Sequence, residues 1–214
     1  MEGQRMRTLV LFLLSTVTAF AEGDKAGDFD YYVLALSWSP TWCALEGDDR
    51  GSPQCDASSD HGWVLHGLWP QYQRGWPSHC KTAHRPPSRR MTGEMADIMG
   101  TSGLAWYQWK KHGSCTGLSA PDYYGLSRQA YNGVTRPDVF RKLNAPIKLP
   151  ASVVEAAFLK ANPGLTRDML TITCREGRIQ EARLCLSKGL EPVACGRDTV
   201  RDCQMTDALF APIR

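Results

Sequence analysis

Beyond its first twenty or so residues the 214-residue chain has no apolar run of membrane length, which excludes a multi-span membrane protein. It has little excess charge: a net +3 tolerates an anionic ligand but is far from the basic balance of a dedicated nucleic-acid coat protein. It has no internal repeat and no low-complexity linker, so solenoids, arrays and disordered tethers are excluded. Histidine is scarce, with five residues. None of them stands with cysteine or acid at a recognisable metal-ligand spacing, and no metal or cofactor is expected. With 43% hydrophobic residues the chain can bury a substantial core without covalent help.

Against those absences stand eight cysteines. The N-terminus assigns their chemistry. Arg5 and Arg7 precede the apolar run from Thr8 to Phe20, which ends in Ala19-Phe20-Ala21. A basic start, a short apolar core and a small-x-small end describe a secretory signal over residues 1–21. Residues 22–214 then read as one exported domain in an oxidising compartment, periplasmic or extracellular, and the even cysteine count suits four disulfides. Spacing alone leaves the pairing open. A Cys115 thiol beside His112, or a His79-Cys80 metal pair, would be alternatives, but neither has further partners in sequence.

Asp28-Phe-Asp-Tyr-Tyr-Val-Leu-Ala-Leu-Ser-Trp38 is β-rich and nearly all apolar, as a buried central strand is. Trp63-Val-Leu-His-Gly-Leu-Trp69 is a second run, expected to end at Pro70. Helical signals follow around Thr92–Met99, over Leu104–His112, from a Ser119 cap with Pro121 to about Tyr131, over Arg136–Leu143 and over Ser152–Ala161. Leu170–Cys174 and Ile179–Leu186 flank a Glu176-Gly177 turn as a hairpin, and Val193–Cys195 suggests another short strand. Strands at both ends with helices between predict an α+β fold, a central antiparallel sheet flanked by several helices and stapled by four disulfides.

Two histidines have unusual surroundings. His66 lies in an apolar run before a glycine. His112 ends Trp106-Tyr-Gln-Trp-Lys-Lys-His112, where Gln108, Lys111 and His112 share one helix face and Ala105 and Trp109 face the core. Local pattern does not separate a chemical role for His112 from that of a helix cap.

The segments His66-Gly-Leu-Trp-Pro70 and Lys111-His-Gly-Ser-Cys115 resemble the two active-site motifs of the ribonuclease T2 family. Phe29 to Trp38 is similar to its first strand, and the C-terminal cysteine hairpin fits as well. The resemblance implies an endoribonuclease acting on single-stranded RNA without metal. His112 would take the ribose 2′-OH proton, His66 would protonate the departing 5′-oxygen, and Lys111 would stabilise charge on the phosphate. A 2′,3′-cyclic phosphate would form and then open to a 3′-phosphate. DNA, lacking the 2′-OH, would not be cleaved, and a monomer is expected. The resemblance also implies the pairs Cys43–Cys55, Cys80–Cys115, Cys174–Cys203 and Cys185–Cys195.

Trp69 matches a base-stacking position, and Tyr72 is a further stacking candidate; core packing is the competing role for both. Gln71 stands where some members carry an acid, which points to broad base preference. Two positions depart from the family pattern: Tyr107 replaces a histidine and Gln108 a glutamate. Gln108 would be able to donate to a phosphate oxygen, and loss of the carboxylate would lower the His112 pKa. Activity is expected to survive, since both histidines and the lysine remain. The alternative is a catalytically weakened exported RNA-binding or signalling protein on the same fold.

Overall fold

In a computed structural model the structure describes residues 24–214; the expected signal segment, 1–21, lies outside the described residues. Six strands form one sheet. They are β1 (Tyr31–Trp38), β2 (Trp63–Gln71), β3 (Ile147–Leu149), β4 (Leu170–Arg175), β5 (Arg178–Leu186) and β6 (Ala208–Phe210). The order is β2-β1-β5-β6-β3, with β4 also paired to β5. Pairing is antiparallel except for one parallel contact, Arg178 with Leu209.

The helices are α1 (Ser39–Trp42), α2 (Arg89–Glu94), α3 (Ala96–Met99), α4 (Ser102–Lys111), α5 (Ala120–Gly133) and α6 (Ala151–Ala161). Three start on hydroxyl caps: Ser88, Thr101 and Ser119 accept from Met91, Leu104 and Asp122 backbone N–H groups. The expected Arg136–Leu143 helix is instead a 3-10 segment, Asp138–Lys142. Phe140 is its only buried residue, and one apolar anchor does not define the stripe of an amphipathic α-helix. Val193–Cys195 forms no strand. Val193 N–H donates to Cys185, while Cys195 N–H leaves for Asp168 in another loop.

Strand alternation sorts β1 into two faces. Tyr32, Leu34, Leu36 and Trp38 enter the main core with Leu65, Leu68, Trp109, Tyr123, Phe158 and Phe210. Tyr31 and Val33 face the other way, with Cys185 and Trp69. That second face, at the β2-β1-β5 end of the sheet, carries the polar cluster described below. β2 is an edge strand and therefore tolerates Pro70, so it runs on to Gln71 rather than stopping where the sequence suggests. All four cysteine pairs are formed as the resemblance implies.

Candidate active site

His66 owes its position to an irregularity in β2. Gly67 pairs with Ala35 and Leu65 with Leu36, so His66 is the extra residue of a β-bulge. A bulge re-aims one side chain without disturbing the rest of the ladder. Here the imidazole turns toward the face where Ser37 pairs with Glu181. His66 Nδ1 stands 2.5 Å from Glu181 Oε1. Glu181 is 1% exposed. Ser37 donates its hydroxyl to Oε1 at 3.1 Å, and Arg183 donates Nε and Nη2 to Oε2 at 2.9 and 2.7 Å. Burial alone would push this carboxyl up, but the His66 contact and Arg183 outweigh it and hold it at about 2. Glu181 was not among the residues singled out from sequence. Its signal was the single acid of β5, two residues before Arg183 in the same strand.

His112 arrives from α4, which packs beside the edge strand. It is the C-cap residue, its N–H bonded to Gln108 O, and it leads into the 3-10 turn Gly113–Thr116. Gly113 is required there: a Cβ would lie 2.6 Å from the Trp109 ring and 2.9 Å from Tyr123. Tyr123 in turn donates to Leu68 O, tying α5 to β2. His112 is buried, and its Nδ1 has no hydrogen-bond partner among the described residues. Burial first, then the positive Lys111, lower its pKa to about 3. The Cys80–Cys115 bridge and the bond from His79 N–H to Lys111 O pin the loop after the first motif against the end of α4.

Trp69 joins the two histidines. Its ring meets His66 edge-on at 5.1 Å and stacks on His112 at 5.3 Å. Its Nε1–H donates to Gln108 Oε1 at 2.7 Å, and the Arg183 guanidinium lies 5.4 Å from its ring centre. Gly67 makes room for this arrangement, since a Cβ there would lie 2.2 Å from Gln108 Oε1 and 2.3 Å from Trp69 Nε1. Lys111 is half-buried and stands 5.9 Å from the centre of the exposed Tyr107 ring.

The structure thus brings together His66, His112, Gln108 and Trp69, with Lys111 and Tyr107 alongside. Tyr72 does not join them. It packs on the fringe of the main core, just past β2, where burial and then Asp24, Asp28 and Asp30 of the segment before β1 raise its pKa. Those charges would repel a phosphate. Gln71 is buried in the β1–β2 ladder. From His66 an open cleft of about 690 Å³ runs past Glu181, Tyr107 and Leu104 to Trp42, Arg50 and Arg175. Among the described residues no group of three or more His, Cys, Asp or Glu is placed to hold a metal ion.

The model of the Ribonuclease T2 family matches residues 29–195. A ribonuclease of Aeromonas hydrophila is 37% identical over 199 residues, covering 89% of each chain. Ribonuclease I of Escherichia coli is 29% identical over 155 residues, 54% of this chain and 58% of that one. Among solved structures, trichomaglin, described as an S-like ribonuclease, superposes with a TM-score of 0.67 at 21% identity over 87% of this chain and all of its own. RNase NT in complex with 5′-AMP gives 0.65 at 16% identity, covering 86% of this chain and 99% of its own.

Proposed function

This chain belongs to the ribonuclease T2 family and is an endoribonuclease, and from that premise we propose that it cleaves single-stranded RNA by transphosphorylation between His112 and His66, without a metal. One observation carries the reading. Two imidazoles touch the same indole ring, in opposite electrostatic surroundings. His112 is desolvated beside a lysine, which keeps it neutral and able to accept a proton. His66 holds its Nδ1 against a buried carboxylate, a negative neighbour where His112 has a positive one. Such paired but opposed environments divide base from acid.

In the first step His112 removes the ribose 2′-OH proton, the 2′-oxygen attacks phosphorus, and His66 protonates the departing 5′-oxygen. In the second, water opens the 2′,3′-cyclic phosphate to a 3′-phosphate with the roles exchanged. Lys111 supplies charge where the phosphate gains it, the Gln108 amide N–H₂ and the Tyr107 hydroxyl add neutral donors, and Trp69 aligns the two rings. The nucleotide released on the His66 side enters the adjoining cleft, where Trp42 and Leu104 offer apolar surface and Arg50 and Arg175, both paired with Glu46, line the wall. DNA is not a substrate, because it lacks the attacking oxygen. The same reading takes residues 1–21 as an export signal and the remainder as one monomeric periplasmic or extracellular catalytic domain.

The test is cleavage of a defined single-stranded RNA in excess EDTA by wild type, His66→Ala and His112→Ala. Cyclic-phosphate ends from the wild type and loss of activity in both variants are expected. Intact RNA in all three, from fully oxidised protein, would overturn the reading and leave RNA binding as the role of the fold.

A further inference from the structure

We propose that Glu181 is a positioning residue of the reaction, one that fixes which His66 nitrogen faces the substrate and keeps a proton available on it. The inference rests on His66 acting as the acid. Glu181 comes from β5, 115 residues beyond His66, and the two meet because Ser37 of β1 pairs with both Val64 and Glu181. A buried carboxylate is costly unless its oxygens are satisfied, and these are: Oε1 by His66 and Ser37, Oε2 by Arg183. Arg183 alone would serve to neutralise the charge. The added contact to a bulged histidine indicates a role beyond folding.

With Nδ1–H held by the carboxylate, Nε2 is the only ring nitrogen left to exchange a proton with RNA, and the ring cannot turn without breaking that hydrogen bond. The same ion pair reaches the other histidine: Arg183 also lies against Trp69, the ring stacked on His112. Ala35, fully buried, stands between Gly67 and Arg183 in the ladder, and these small residues let the guanidinium approach Trp69. Other charged groups near His66 are Glu46, which pairs with Arg50 and Arg175 at the cleft, and His112 on the side of α4. None of them contacts Nδ1.

Two measurements test the inference. The first is the pH dependence of kcat and KM for wild type, Glu181→Gln and His66→Ala. The amide oxygen of the Glu181→Gln variant can still accept from Nδ1–H, while its NH₂ replaces the oxygen that accepts from Arg183, so the charge and the Arg183 contact are removed together. Across the profile kcat is expected to fall about tenfold or more, because the ring is no longer held in place, with KM changed less than about twofold. An inactive His66→Ala together with a wild-type profile in Glu181→Gln would overturn this inference alone. An active His66→Ala would instead overturn the reading beneath it. The second measurement needs no variant: ¹⁵N NMR of the His66 ring in wild type at high pH. Nδ1 protonated and Nε2 bare is expected. The opposite tautomer would overturn the inference even if Glu181→Gln fails to fold.

Discussion

At the scale of single residues, the two histidines differ through what surrounds them. His112 is held down to about 3 by burial before any charge is considered, so the loss of a carboxylate at position 108 is a secondary influence. Gln108 directs its oxygen to Trp69, which leaves the amide nitrogen as the donor toward a phosphate. A base with a lowered pKa stays unprotonated as the pH falls, so the acid limb of kcat/KM should lie below the ordinary histidine range, near 6.5. Gln108→Glu restores a nearby anion and should raise the His112 titration midpoint, moving that limb upward. NMR titration of the His112 ring in both proteins, alongside the rate profiles, checks this; no upward shift in the variant would refute it.

At the scale of elements, the site depends on a bulge, a glycine and an edge. Without the bulge, His66 would alternate in step with its neighbours, and a one-residue slip would send it to the other face. Because β2 is the edge strand, α4 can lie beside it and bring Gln108 and His112 to Trp69. Gly67 leaves room on the strand for the Gln108 side chain of the helix. Gly67→Ala places a methyl against both ends of the Trp69–Gln108 bond. We expect about 1–3 kcal/mol of destabilisation from overpacking. Because Trp69 aligns both histidines, kcat/KM should fall about a hundredfold, the size of effect an ångström-scale misplacement has. Urea melts and steady-state kinetics measure the two parts. Near-wild-type activity in the folded variant would show that the Trp69–Gln108 contact is dispensable.

At the scale of the molecule, the two groups most displaced from ordinary titration in the site make stability depend on acidity. As the pH falls below 6.5, an unfolded chain protonates at residue 112 while the folded one resists to about 3. As it falls below 4.5, the unfolded chain protonates at residue 181 while the folded one resists to about 2. In both cases the unfolded state binds more protons, so stability present at neutral pH is lost on acidification. Urea midpoints should fall steadily from pH 7 to about pH 3, and Glu181→Gln should flatten the part of that decline below about pH 4.5. A midpoint constant over this window would contradict the assignment. The bridges limit the consequence, since Cys80–Cys115 keeps the two motifs tethered even when local packing loosens.

Much of this was legible in sequence, wherever the determinants are neighbours along the chain. The alternation of β1 and of the β4–β5 hairpin, the Ser119 cap, the shared face of Gln108 and His112, and the two motifs with their cysteines are all local patterns that one segment imposes on itself. The short strands β3 and β6 were not legible, because three residues hold no period and pair only once the rest of the sheet exists. Nor was the Tyr72 environment, set by a loop folding among three aspartates. The tertiary structure alone decided that Glu181 meets His66, that Trp69 spends its N–H on Gln108, and that burial governs His112. Each depends on strand register or on closure of a helix against an edge, and so on contacts between segments far apart in sequence, where no periodicity reaches.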